Sequence, residues 1–165
     1  MRRFIGTSVL VIGFVAGGTV AADAAPLPTC KSVDLDITSI DRGAAAGTDY
    51  REIKFTMRRL GACVLKGFPG LSYVDRADAQ VGNPARRNGT AGDLITLAYG
   101  GSVSATVGFG NPGNYDPEVC QPQSVWGIKV YPPDEFVPLY VGYIDEVGCG
   151  GTSVTPLSVT AVYAS

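Results

Sequence analysis

The sequence predicts an all-β domain, a sandwich of two antiparallel sheets, braced by two disulfides and preceded by an export signal. Three observations predict it. Apolar and polar residues alternate with period two along most of the chain. Twenty-two glycines and 11 prolines punctuate that pattern, as expected for many short strands joined by turns. Four cysteines, an even number, follow a leader-like N-terminus, which reads as disulfides in an exported domain. A small closed barrel is the alternative arrangement of the same strands.

The leader comes first in the chain. Arg2 and Arg3 supply a positive n-region, Phe4 to Val15 is an uncharged apolar run, and Ala22-Asp23-Ala24 fits the small-x-small cleavage pattern. The expected organisation is therefore a signal peptide over residues 1–24 and a single β domain over 25–165. The apolar run is shorter than the roughly 20 residues a spanning helix needs, and Gly13, Gly17 and Asp23 interrupt its vicinity. Paired Arg2-Arg3 reads as an ordinary n-region rather than a twin-arginine signal. Leu27-Pro28-Thr29 before Cys30 argues against a lipidated cysteine. No membrane span and no C-terminal anchor are expected after cleavage.

The strands follow in order. Val33, Leu35 and Ile37 alternate with Asp34, Asp36 and Thr38. Ile53, Phe55 and Met57 alternate with Glu52, Lys54, Thr56 and Arg58. Leu71 and Tyr73 flank Ser72; Val103, Ala105, Val107 and Phe109 alternate with Ser104, Thr106 and Gly108. Trp126, Ile128 and Val130 share one phase, as do Leu157, Val159, Ala161 and Tyr163. Successive side chains of a strand point to opposite faces, so each segment offers one face to a core and one to water. On that basis Trp126 is assigned to the core. Segment 136–141, apolar on both faces, reads as a central strand. The stretch from Val81 to Asp93 reads as a long surface loop.

Composition excludes several function classes. Without Arg2, Arg3 and Asp23 the chain keeps 11 basic and 14 acidic residues, a net charge of −3. Arg58-Arg59 and Arg86-Arg87 are only pairs, so the dense positive footprint that nucleic acid requires is missing. The acidic balance also disfavours anionic membrane surfaces. The chain has no histidine, which removes Ser-His-Asp and Cys-His mechanisms and histidine metal sites. No Cys-x-x-Cys pair suggests zinc, and phosphate-loop, dinucleotide and zinc-protease motifs are missing. No cofactor is expected. Four cysteines allow three connectivities; neighbour pairing, Cys30–Cys63 and Cys120–Cys149, is favoured and closes loops of about 30 residues.

The segment FTMRRLGACVLKGFPGLSYVD, Phe55 to Asp75, runs strand, Cys63 with an apolar neighbour, a Lys-Gly-aromatic-Pro-Gly turn, then strand. It resembles a bacterial secreted family common in actinobacteria, called domain of unknown function 4232. Cys30 at a strand start, Ile95-Thr96-Leu97-Ala98 before Gly100-Gly101-Ser102 as a central hairpin, Val130-Tyr131-Pro132-Pro133 and Cys149 extend the resemblance over about residues 30 to 163. The chain departs from the family at Tyr99, where proline is common, and at Arg58-Arg59-Leu60-Gly61 before the second cysteine. The resemblance implies an immunoglobulin-like β-sandwich and neighbour-paired cysteines. It implies no activity, and no catalytic residue is carried over. Within the motif, Gly67, Pro69 and Gly70 read as turn residues.

Candidate sites are few. Asp34 and Asp36 share a strand face by period two, which reads as a solvated outer face rather than a paired-carboxylate or calcium site. Asp75 and Asp78 flank an expected hairpin turn. Asp145-Glu146 is too small a cluster to define a cation site, and Asn88-Gly89-Thr90, a glycosylation sequon, reads as a turn. Tyr99, Tyr115 and the adjacent Asn114 fall in Gly-rich loops, where they either cap the core or serve as binding residues. Loops on a rigid scaffold are frequent binding surfaces, and tyrosine gives large contact area at low entropy cost. The expected function is a non-enzymatic envelope or extracellular module that binds an unidentified protein or glycan through loops 83–93, 98–102 and 110–119. The alternatives are a carboxylate-dependent enzyme acting on envelope polysaccharide, which needs carboxylates from separate strands around one cleft, and a passive structural component.

Overall fold

The computed structural model describes residues 25–165, apart from the side chains at 143–145. The expected signal peptide, and Asp145 of the Asp145-Glu146 pair, thus lie outside the described residues. A 3₁₀ turn over Ser32–Asp34 leads into β1 (Leu35–Ala45), β2 (Thr48–Met57), β3 (Ala62–Leu65), β4 (Gly70–Val74), β5 (Gln80–Val81), β6 (Arg86–Asn88), β7 (Ile95–Ala98) and β8 (Ser102–Gly110). A second 3₁₀ turn, Pro112–Asn114, and one helical turn, α1 (Pro117–Cys120), precede β9 (Pro122–Tyr131), β10 (Leu139–Cys149), β11 (Leu157–Thr160) and β12 (Tyr163–Ala164).

The strands form three sheets. One has the order β1-β2-β8-β11-β6, with β12 also pairing β8; the second is β10-β9-β4-β5; the third is the pair β3-β7. Every pairing is antiparallel except β11 with β6. The two larger sheets face each other across one core. Ile53, Phe55, Val103 and Val107 from the first and Leu71, Ile128 and Val130 from the second share a single buried cluster. The rings of Tyr73 on β4 and Phe109 on β8 meet within it, 5.8 Å apart and tilted by 45°, a favourable aromatic geometry.

Local sequence explains the main turns. Ala46 and Gly47 join β1 to β2 with φ of 48° and 73°, the left-handed pair that suits a two-residue hairpin. Pro69 is fully buried, and the carbonyl of Gly67 (φ 98°) accepts from Val162 N–H at 2.8 Å. The Lys-Gly-aromatic-Pro-Gly turn therefore also anchors the C-terminal segment. Both disulfides pair neighbours, Cys30–Cys63 and Cys120–Cys149, as expected.

Several expectations are corrected. Trp126 is not a core residue: it is 36% exposed on the outer face of β9. Val125 and Ile128 are both buried, so the alternation slips by one residue between them, where β10 shifts register between Gly142 and Glu146. Segment 136–141 is not a central strand. Phe136 and Val137 are exposed, and β10 begins only after Pro138 and forms a sheet edge. Stretch 81–93 is not wholly loop, because β6 within it pairs β11. The segments around Gly100 are not a mutual hairpin, since β7 pairs β3 and β8 pairs β2. Asp34 does not share an exposed face with Asp36. It closes a 3₁₀ turn, is buried, and binds Arg59 at 2.8 Å, while Val33 is exposed.

Candidate functional site

Alternation places charges as well as core residues. On β2 the inward phase of Met57, Phe55 and Ile53 continues to Arg51 and Asp49, and on β1 the phase of Leu35 and Ile37 reaches Asp41. On β10, Glu146 pairs in register with buried Val125. Where these phases run from apolar to charged residues, the core ends in a cavity of about 370 Å³. Asp41, Asp49, Arg51 and Glu146 line it, with Tyr73 and Phe109 beside them, Gly110 at the end of β8, and Asn111 and Pro112 from the following loop.

Arg51 organises this cavity. Its guanidinium forms an ion pair with Glu146, bridging the two larger sheets, and lies 5.5 Å from the Phe109 ring centroid, within cation–π reach. Burial pushes the Glu146 carboxyl above its ordinary range. Arg51 pulls it back, and the charges of Asp49 and Asp41 push it further up. Burial and the nearby Glu146 charge likewise raise the Tyr73 phenol. The cavity therefore gathers three carboxylates from three different strands, one of them with its pKa raised. Among the described residues no three side chains converge with metal-holding geometry.

The 110–119 loop is held against this end. Asn111 and Asp116 each accept a backbone N–H two residues on, at 2.8 Å, and so set the Pro112–Asn114 turn and α1. Asn114 donates from its amide to the Gly47 carbonyl at 2.7 Å. A Cβ on Gly47 would stand only 2.7 Å from that amide. Tyr115 is half-buried, its hydroxyl 3.2 Å from where a Cβ on Gly110 would lie. Cys120 then ties the loop to Cys149 at the end of β10.

Tyr99 stands elsewhere. It is 64% exposed in the turn before β8, whereas Asn114 and Tyr115 follow its far end. Nine residues of strand put about 30 Å between the two turns. Loop 83–93 runs along the opposite edge of the sheet, with Asn83 donating to the Thr152 and Val154 carbonyls. Asp75 does cap its turn, accepting from Ala77 and Ala79 N–H. Sequence reasoning missed Asp41, Asp49 and Arg51. The available signal was charge on the inward phase of two strands.

A β domain of two facing sheets, two disulfides and an acidic cavity at one end is the class this geometry defines. Residues 30–163 match the family model described as Domain of unknown function (DUF4232), and the chain belongs to that family. Neither a curated protein nor a solved structure matches it.

Proposed function

We propose that the protein is an exported, non-enzymatic module of the cell envelope or extracellular space, of an actinobacterial type. In this reading it is an immunoglobulin-like sandwich released by cleavage after Ala24, and it binds a protein or glycan partner. The observation that carries it is the loop 110–119, clamped by Asn114 and Cys120 beside a cavity that Arg51 and three carboxylates line. A fixed loop over a polar cavity is pre-organised, which lowers the cost of binding. Two disulfides support an oxidising compartment. Among the described residues, no helix is long and apolar enough to cross a membrane.

The test is affinity capture from envelope fractions and culture medium. The native protein should retain a saturable partner, and Tyr115→Ala and Arg51→Ala should lose it while staying folded. Equal retention by both variants would remove the cavity as the site. Carboxylates from three strands around one cavity favour a second reading, an enzyme acting on envelope polysaccharide with Glu146 as proton donor. That reading requires glycan hydrolysis that Glu146→Gln abolishes.

A further inference from the structure

A second surface lies on the outer face of the four-stranded sheet, away from the cavity. The register shift that removes Trp126 from the core leaves its indole over Gly142, with Cη2 3.8 Å from where a Cβ on Gly142 would stand. Among the described residues outside its chain neighbours, no other atom comes within 4 Å of that position, so Gly142 forms a floor beside the indole. Two residues back along β10, Tyr140 is 43% exposed. Its ring lies 5.6 Å from Lys129 Nζ. Lys129 Nζ and the Tyr140 hydroxyl both donate to Asp78 Oδ2, at 2.8 and 3.2 Å. Tyr140 pairs in register with Lys129, three residues from Trp126, which sets the two aromatic residues about 10 Å apart along the strands.

We propose that this face binds a neutral, β-linked polysaccharide chain. The apolar C–H faces of alternate pyranose rings stack on Trp126 and Tyr140, which present rings to solvent beside a glycine floor. The spacing suits every second sugar of an extended chain. Lys129 and Asp78 cancel in charge, so the surface selects an uncharged ligand, and the Asp78 side chain is 53% exposed, leaving it free to take sugar hydroxyls. Equatorial linkage keeps such a chain flat enough to lie across a sheet, whereas an α-linked chain curves away from it.

Trp126 is the single tryptophan of the chain, so its fluorescence reports directly on the surface. The purified protein is titrated with cellohexaose, chitohexaose and, as the curved comparison, maltohexaose, up to millimolar concentration. The expected result is a saturable spectral change with at least one β-linked oligosaccharide. Tyr140→Ala should weaken it about tenfold, the loss of one aromatic contact, and Tyr140→Phe should keep it. Gly142→Gln, which places a side chain beside the indole, should also weaken it. No saturable change with either β-linked chain, preference for maltohexaose, or full affinity in both the Tyr140→Ala and Gly142→Gln proteins overturns the proposal.

Discussion

The two disulfides close loops of nearly equal length, with sequence separations of 33 and 29 residues, yet they stand in different surroundings. Cys30 and Cys63 belong to the buried apolar cluster, together with Leu35, Met57 and Leu97. Cys120 and Cys149 are equally buried but lie outside that cluster. They join the 110–120 loop to the edge strand that carries Glu146. One bridge is part of a closed, apolar end; the other holds a loop over an end opened by charge. The same alternation of side chains built both ends, and the residues placed on the inward phase decided which one closed.

The largest expected effect separates the two bridges. Chain entropy assigns about 3–4 kcal/mol to each and almost no difference between them. Packing adds more to the first, because its sulfurs lie within the large apolar cluster, where a small cavity costs about 1 kcal/mol. Cys30→Ala/Cys63→Ala should therefore melt lower than Cys120→Ala/Cys149→Ala, compared by thermal denaturation under identical conditions. Equal melting temperatures would mean that loop closure is the whole contribution and that the contrast in packing is energetically empty.

Acid should act on the two ends with opposite sign. At the closed end the Arg59 hydrogen bond holds Asp34 below its ordinary value of 3.8. Its stabilisation is complete above that value and is lost as pH falls through the lower folded pKa. At the cavity end Glu146 titrates above its ordinary 4.5. The folded state is penalised while Glu146 is charged, and the penalty disappears as pH falls through the raised pKa towards 4.5. Asp34→Asn should destabilise by about 1 kcal/mol near neutral pH, the scale of a pair whose arginine side is exposed, with the deficit closing in acid. Glu146→Gln should melt at or above the native protein near neutral pH, with the difference shrinking as pH falls through the raised pKa. A marked loss of stability in Glu146→Gln at neutral pH would show that the Arg51 ion pair outweighs desolvation.

Much of this contrast was legible in the sequence. Period two located β1, β2, β8, β9 and β11, and the cysteine pairing followed from neighbour order. Legibility failed where the backbone slipped phase. The shift opposite Gly142 moved Trp126 outward although it alternates with Ile128 and Val130. A 3₁₀ turn buried Asp34 and exposed Val33. Strand pairing was also invisible: Ile95–Ala98 and Ser102–Gly110 look like a hairpin but enter different sheets. The cavity was half legible, since Arg51 and Asp49 stand on the phase of Phe55, but only the sheet partners show that Glu146 meets them.

The smallest effect concerns the two tyrosines, which the sequence treats alike and the fold does not. Tyr99 is 64% exposed at the closed end of β8, and its side chain makes no hydrogen bond there among the described residues. Tyr99→Ala should change stability by no more than about 0.5 kcal/mol. Tyr115 packs half-buried beside Gly110 and next to the Asn114 clamp, so Tyr115→Ala should cost about 1 kcal/mol or more. Chemical denaturation of both variants reads the difference directly. If Tyr99→Ala is the costlier change, the loop before β8 is packed more firmly than its exposure indicates. If the order is as expected, a loss of partner capture in Tyr99→Ala would reflect a lost contact rather than a weakened fold. The same loss in Tyr115→Ala would need the melting curve beside it.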